Sequence, residues 1–431
     1  MKVAAFLPAK GTSGRIKNKN LALLDAKPLF LHTLEKLTRI AEIDQVYLDT
    51  ESEDIINLAS HVDCQILRRD PQLADNKTDG NQLLLNQAKQ VDADIYLQIL
   101  GTSPFIEADT IRDCIQALID NPDKDSAVLV EKSKMYTWEN GRPNYDIDNI
   151  PNSNDLPDTI VETMGLYAIR KEALQKTQRR IGDNPIVIDA KPLEAIDVNY
   201  PEDFELANLI AAGMHEKERS LFKNLTNHLS SPVLSDVLDE LGYPNQVIQG
   251  LGLSLPERKM FGRAKTLKIK KAEAGDQHDI YQAYQMYPTV RRGDIIAVET
   301  EVPEFAYFGE LNANLSFRAG AVGAIIGGHT RDRSGVDKLH FPVFSKGYTC
   351  KDVKGKGNFE FMNKTIQIDG VTIEYESLIF GDSDGIVVIP KALEKAVIDK
   401  ARDIIESEGK ILIDINTNQN INNILGEHGN F

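Results

Sequence analysis

The chain has 431 residues, 42% of them hydrophobic and 26% charged, a length and balance that imply two or three soluble globular domains. A formal charge of −16 argues against nucleic acid or an anionic membrane as the main partner, and confines any anionic substrate to a local basic pocket. No apolar run approaches the ~20 residues that span a bilayer, and the opening MKVAAFLPAKG reads as a strand entering a loop rather than a signal peptide. Cys64, Cys114 and Cys350 are too few and too far apart for a disulfide framework or a zinc site, which fits a reducing, cytoplasmic setting with three wholly or partly buried thiols.

In chain order, residues 2–8 form a short apolar strand that runs into the loop PAKGTSGRIKNKN at 8–20. Residues 28–41 space Leu and Ile as a helix does, 45–50 are strand-like, 53–61 helical, 64–68 a strand, 78–90 a helix and 94–100 a strand. This alternation predicts a mostly parallel sheet with helices on both faces. Ligands of such sheets bind beyond the carboxyl ends of the strands, here in the loops after Leu7, Asp49 and Leu100. NGRPNYDIDNIPNSNDLPD at 140–158 is a long polar loop, read either as a lid or dimer arm or as a disordered insertion. Strands resume at 163–169 and 186–188, and a helix at 203–214 leads into HEKER. The boundary is placed there, giving domains 1–218 and 219–431.

Beyond it, residues 231–241 (in SPVLSDVLDELG) form a capped amphipathic helix stopped by Gly242. Residues 263–269, 294–299, 323–326 and 385–389 are strand-like, and 392–406 are helical. The Asn-rich tail after residue 410 reads as an extension towards a neighbouring subunit. No internal repeat is present.

The first chemistry lies in PAKGTSGRIKNKN. Gly11 and Gly14 let the backbone approach phosphates, Lys10, Arg15 and Lys19 offset triphosphate charge, and exposed N–H groups make an anion nest. The same string also reads as an ordinary basic turn, since neither GxxxxGK[ST] nor GxGxxG is present. With Lys19-Asn20 after the loop, and with RRDPQLADNKTDG, LGTSPFIEAD, ETMGLYAIR and IDVNYPEDFELAN following in order, residues 1–215 resemble the CMP-sugar synthetases. These are the cytidylyltransferases of sialic, pseudaminic and octulosonic acids. The resemblance implies a nucleotide-diphospho-sugar transferase-like α/β domain. It also implies attack of a hydroxyl of an acidic keto sugar on the α-phosphate of CTP, with release of pyrophosphate. By the same resemblance Lys10 and Lys19 are catalytic and hold phosphates. Pro8, Ala9, Gly11, Ser13, Arg15, Asn20, Arg69, Thr102 and Ser103 complete the nucleotide site, and Asp197 holds Mg²⁺ (or Mn²⁺). The chain departs from the family pattern at Gly14, where Lys is usual, at Asn199, where a second metal carboxylate is usual, and at Leu100, where the usual Gln is displaced to Gln98.

The second chemistry is carried by GELNANLSFRAGAVGAIIGGHTRD at 309–332, a turn, a helix, a buried strand and an exposed Arg331-Asp332 pair. An isolated Arg-Asp is as a rule a surface ion pair; here glycines clear space at the end of a buried strand. The stretch resembles the active-site core of the RraA-like family, which includes the class II 4-hydroxy-4-methyl-2-oxoglutarate aldolases. That resemblance implies an RraA-like α/β domain that binds a pyruvate-type 2-oxo acid on Mg²⁺ or Mn²⁺, the metal stabilising the enolate formed as the C–C bond breaks. It makes Asp332 the metal ligand and Arg331 a bidentate partner for the substrate carboxylate. Backbone N–H groups of Gly309, Glu310, Leu311 and Asn312 serve the substrate oxygens, with Glu310 an acid behind the metal ligand. It further implies a homotrimer, or a multiple of three, in which a neighbour's Glu406 or Glu408 completes the site. Asn312 stands where an apolar residue is usual. His329 is a ligand or proton relay, or a solvated loop residue; His278 and Asp279 line the cleft or cap a helix; Asp384-Gly385 reads as a turn rather than a ligand pair.

Together these readings describe a bifunctional enzyme. One half performs CTP-dependent activation of an acidic 2-keto-3-deoxy sugar, and the other metal-dependent pyruvate-enolate chemistry, as aldol cleavage or oxaloacetate decarboxylation. Such sugars are formally pyruvate joined to an aldehyde, which links the two activities. The alternatives keep one catalytic domain, the second being an oligomerisation or regulatory scaffold or the first a vestige.

Overall fold

The apolar strand Val3–Pro8 is buried on both faces because it lies inside a seven-stranded sheet. In the computed structural model, which describes residues 1–75, 77–276, 279–417 and 419–428, the chain divides into two units, Met1–Ala212 and Gly213–Phe431. The division falls inside the helix Pro201–Thr226.

In the first unit the strand order is Pro185–Asp189, Ser126–Ser133, Thr159–Arg170, Ile95–Ile99, Val3–Pro8, Gln45–Thr50, Gln65–Arg68. Neighbours are parallel except those of Thr159–Arg170, which runs antiparallel to both of its partners. Val3, Ala5 and Leu7 pack into one apolar layer with Leu34 and Ile111, while Ala4 and Phe6 pack into the other with Leu84 and Leu174. Cover on both faces explains the unbroken apolar runs of these strands. The helix Gly80–Gln90 begins with a reciprocal cap: Asp79 accepts from the Gln82 N–H, and Gln82 accepts from that of Asp79. That cap brings Gly80 within reach of Gln98, whose Nε2 donates to the Gly80 carbonyl (3.2 Å) near the end of Ile95–Ile99.

Residues 101–139, which carry little simple alternation, hold the helix Ala108–Asp120 and the strand Ser126–Ser133. The polar loop at 140–158 is folded back on itself. A hairpin pairs Trp138–Glu139 with Arg142–Pro143, Lys134 donates to the Asn154 carbonyl (2.6 Å), and the Tyr136 hydroxyl donates to the Pro151 carbonyl (2.6 Å). It is therefore a tied loop rather than an unstructured insertion.

In the second unit four strands, Met260–Lys271, Ile295–Thr300, Gly323–Ile326 and Val343–Ser345, form a parallel core. Antiparallel neighbours complete the sheet, with Leu378–Gly381 on the first residues of Met260–Lys271 and Gly357–Met362 on its last. The hairpin joining Leu378–Gly381 to Ile386–Ile389 contains Asp384-Gly385, which is a turn: the Asp384 N–H donates to Asp382 Oδ1 (3.1 Å). Asp382 is buried, and it also accepts from the N–H (2.9 Å) and hydroxyl (2.6 Å) of Ser231, anchoring the start of the helix Ser231–Glu240. The helix expected over 392–406 runs as Glu394–Asn416, and the tail ends in the helix Ile421–His428.

Among the described residues no helix is long and apolar enough to cross a membrane. Of the three thiols, Cys114 is buried, Cys64 half-buried and Cys350 exposed, the last contrary to expectation. Burial pushes the Cys114 thiol up to about 12 and that of Cys64 up to about 11.

Candidate active sites

The loop after Val3–Pro8 is tied to the end of the adjacent strand. The Ala9 N–H donates to the Asp49 carbonyl (2.9 Å), and the Gly11 N–H donates to Glu51 Oε1 (2.7 Å). Gly11 is required by contact: a Cβ there would sit 2.8 Å from that of Ser52. The same bond takes the Gly11 N–H out of any phosphate nest. Asn20 is buried, and its amide donates to the Lys10 carbonyl (2.8 Å), so it shapes the loop from inside. Lys19 reaches across to the last motif and donates to the Val198 carbonyl (2.7 Å). Burial pushes its ammonium below the ordinary lysine value, Arg15 and Lys10 add to that shift, and Asp197 opposes it. Of the other expected nucleotide-site residues, Pro8 ends the first strand, Ala9 follows it, and Thr102 is joined to Val198. The Thr102 carbonyl accepts from the Val198 N–H (2.8 Å), and the Ser103 hydroxyl is buried without a partner.

Asp197 has one carboxylate oxygen held by the Asn199 amide; the other, Oδ1, is buried and has no hydrogen-bond partner among the described residues. A buried carboxylate oxygen without a donor suits a divalent cation. Asn199 thus serves Asp197 rather than standing in for a second anionic ligand.

Arg69 is tied to the end of the neighbouring strand. Its guanidinium lies buried in a two-pronged pair with Asp49 (3.0 Å at both contacts) and also donates to the Asp49 carbonyl (2.9 Å). Gln87 donates to the same carboxylate (2.6 Å). Arg69 clamps the buried Asp49 carboxylate through Nε and one terminal nitrogen. Gln98 is fully buried beside Gln87, and its Oε1 has no hydrogen-bond partner among the described residues.

In the second unit Gly309 begins the helix Glu310–Ala319, and Arg331-Asp332 follow the short strand His329–Thr330. The structure brings them together. A Cβ at Gly309 would lie 2.6 Å from Asp332 Oδ2, so only glycine permits the approach, and the Glu310 N–H donates to that oxygen (3.3 Å). Asp332 has a left-handed backbone (φ 57°), which Asp tolerates better than most residues, and stands just before the helix Arg333–Lys338 without a side-chain bond to it. The Arg331 Nε lies 3.6 Å from Asp332, and its other edge 3.1 Å from Asp352. Asp352 gave no signal in the sequence. Although burial pushes its carboxyl up, the Lys354 N–H and the Arg331 guanidinium hold it below its ordinary value. These groups open on a cleft of about 170 Å³ walled by Tyr281, Tyr284 and the exposed Leu311.

The side chains of Asn312, His329 and Asp279 are tied into the local fold. The Asn312 amide is buried and donates to the Tyr307 carbonyl (3.0 Å), which explains a polar residue at an apolar position. The His329 Nδ1 donates to the Pro303 carbonyl (2.8 Å), and the ring is not among the groups that wall the cleft. Asp279 caps the turn at Tyr281 (2.9 Å), while His278 lies outside the described residues. Glu406 and Glu408 are exposed on Glu394–Asn416 and do not line the cleft. No group of three or more His, Cys, Asp or Glu side chains converges as a metal site among the described residues.

A family model described as Cytidylyltransferase matches residues 4–179, and one described as Aldolase/RraA matches residues 231–388. A 3-deoxy-manno-octulosonate cytidylyltransferase of Chloroherpeton thalassium is 28% identical over 192 residues, covering 41% of this chain and 76% of that protein. A protein of Halalkalibacterium halodurans named "Putative 4-hydroxy-4-methyl-2-oxoglutarate aldolase" is 31% identical over 173 residues, covering 39% of this chain and 76% of that protein. Among solved structures, a CMP:2-keto-3-deoxy-manno-octonic acid synthetase complexed with CTP is 18% identical with a TM-score of 0.40, over 50% of this chain and 100% of that one. Streptomyces coelicolor RraAS2, of the RNase ES inhibitor RraA family, is 22% identical with a TM-score of 0.40, over 44% of this chain and 94% of that one.

Proposed function

Since residues 4–179 belong to the cytidylyltransferase family and residues 231–388 to the Aldolase/RraA family, we propose that the chain is a bifunctional enzyme that activates an acidic 2-keto-3-deoxy sugar with CTP and carries a second, pyruvate-forming site. The observation that supports the first activity best is the meeting of Lys19 with Asp197-Val198, in reach of the charges of Lys10 and Arg15. In the reaction the sugar hydroxyl oxygen bonds to the α-phosphorus of CTP. The bond from that phosphorus to the bridging oxygen breaks, pyrophosphate leaves, and the hydroxyl proton passes to solvent. Lys10, Arg15 and Lys19 balance the triphosphate charge, and the tied loop holds the nucleotide in line. Asp197 would hold Mg²⁺ (or Mn²⁺), which would share the phosphate charge. CTP-dependent pyrophosphate release with 3-deoxy-manno-octulosonate and related ulosonic acids tests the reading; no turnover across such a panel ends it.

The second reading rests on Gly309, Arg331 and Asp332 converging on one cleft. Arg331, steadied by Asp352, presents a planar fork to a 2-oxo acid carboxylate. Asp332 would hold the divalent metal, which would stabilise negative charge on the pyruvate oxygen. The reading includes a trimer in which a neighbour's Glu406 or Glu408 reaches the cleft, and a cytoplasmic setting.

A further inference from the structure

We propose that Arg180, set between Gly80 and Tyr167, is the group that reads the carboxylate of the sugar acid in the first unit; this rests on the transferase reading above. Arg180 lies one position beyond the segment matched as a cytidylyltransferase, and no motif in the sequence marks it.

Three contacts hold it, two to Tyr167 and one to Asn81. Its guanidinium carbon sits 3.7 Å from the centroid of the Tyr167 ring, and one terminal nitrogen donates to the Tyr167 hydroxyl (2.9 Å). That hydroxyl in turn donates to the Glu162 carboxylate. The Arg180 N–H donates to Asn81 Oδ1 (2.9 Å). A Cβ at Gly80 would collide with the other terminal nitrogen, so the bare helix start gives that nitrogen its place. Tyr167 itself is fully buried, the register partner of Gln98. The guanidinium plane is thus fixed before any ligand arrives, which lowers the ordering cost of binding.

Arg69, in the same unit, shows what a structural arginine does here: both prongs go to one buried carboxylate at 3.0 Å. Arg180 differs. It gives one N–H to a neutral hydroxyl, its nearest carboxylate contact is a loose 3.9 Å to Glu162, and its side chain is 22% exposed. Its Nε and its nitrogen beside Gly80 donate no hydrogen bond among the described residues. The strand that carries Tyr167 is joined to the nucleotide side, since the Gly165 carbonyl accepts from the Leu100 N–H (2.9 Å) and the Thr102 carbonyl from that of Val198, next to Asp197. A carboxylate beside the attacking hydroxyl of an ulosonic acid supplies the bidentate acceptor this fork lacks; a neutral sugar does not.

The test is steady-state kinetics and calorimetry on the full chain with 3-deoxy-manno-octulosonate and its carboxamide. Arg180→Ala is expected to raise KM for the acid about tenfold or more, the loss of a charge-assisted pair, with KM for CTP unchanged. It should also abolish the wild-type preference for acid over carboxamide. Gly80→Ala keeps the charge but displaces it, and should raise the same KM. Calorimetric binding of the acid needs no turnover. Arg180-dependent binding without pyrophosphate release would end the transferase reading and leave the subsite standing. Unchanged acid binding in both variants, an equal rise in KM for CTP, or no acid binding by the wild type would overturn the subsite.

Discussion

Lys19 is half-buried between the first loop and Asp197-Val198, and its replacement by Ala should be felt as lost charge rather than lost packing. Lys19→Ala is expected to cost about 2–4 kcal/mol of transition-state stabilisation, roughly 30- to 1000-fold in kcat/KM for CTP. Because burial sets its pKa below the ordinary 10.5, the charged form is lost as pH rises through that lowered value, and activity should fade earlier on the alkaline side than a free lysine would dictate. Lys19→Arg stays charged and should lose that alkaline limb in a pH–rate profile. In the second unit, Asp332→Ala should abolish pyruvate release from oxaloacetate at equal Mg²⁺ or Mn²⁺. Arg331→Lys should do so too, because a point charge cannot replace a fork held between Asp332 and Asp352. Equal rates for wild type and Asp332→Ala would make this unit a scaffold or regulator. The sequence shows where a charge is and not what it meets. Lys19 and Arg69 looked alike on paper, yet Asp49, twenty residues back, holds one edge of Arg69. Arg180 was invisible for the converse reason, since its setting comes from Gly80 and Tyr167 rather than from its neighbours in the chain.

At the scale of elements, the helix Ser231–Glu240 depends on a carboxylate 151 residues away, for Asp382 holds both the N–H and the hydroxyl of Ser231. Asp382→Ala leaves these donors buried and unpaired and should cost about 1–3 kcal/mol. The readout is a lower Tm of the second unit, with pyrophosphate release by the first unchanged. Elements were legible where one period ran without interruption. Gly323–Ile326 was bounded correctly, being a short apolar run between a glycine pair and a turn. Thr159–Arg170 was expected to begin only at 163, because its register slips between Glu162 and Tyr167 and Met164 takes a left-handed backbone (φ 61°), which breaks the alternation. The helix Glu394–Asn416 outran its expected end because Ile411 is buried and keeps one face apolar.

For the whole molecule, the proposed completion of the second site by a neighbour predicts that the full chain in solution has three times its 48.0 kDa mass, or a multiple of that. Light scattering giving a monomer would contradict it and weaken the lyase reading with it. The order of strands has another consequence, for synthesis. The first sheet draws every strand from residues 3–189, so it can close while the rest is still being made. In the second, Met260–Lys271 waits for Gly357–Met362 and Leu378–Gly381, roughly a hundred residues later. Its edges stay open through that interval, the period in which a nascent chain is most prone to pair with another. A message truncated near codon 375 would therefore yield a finished first half attached to a sticky second one, and slowing translation there should raise aggregation without touching CTP turnover in the soluble fraction.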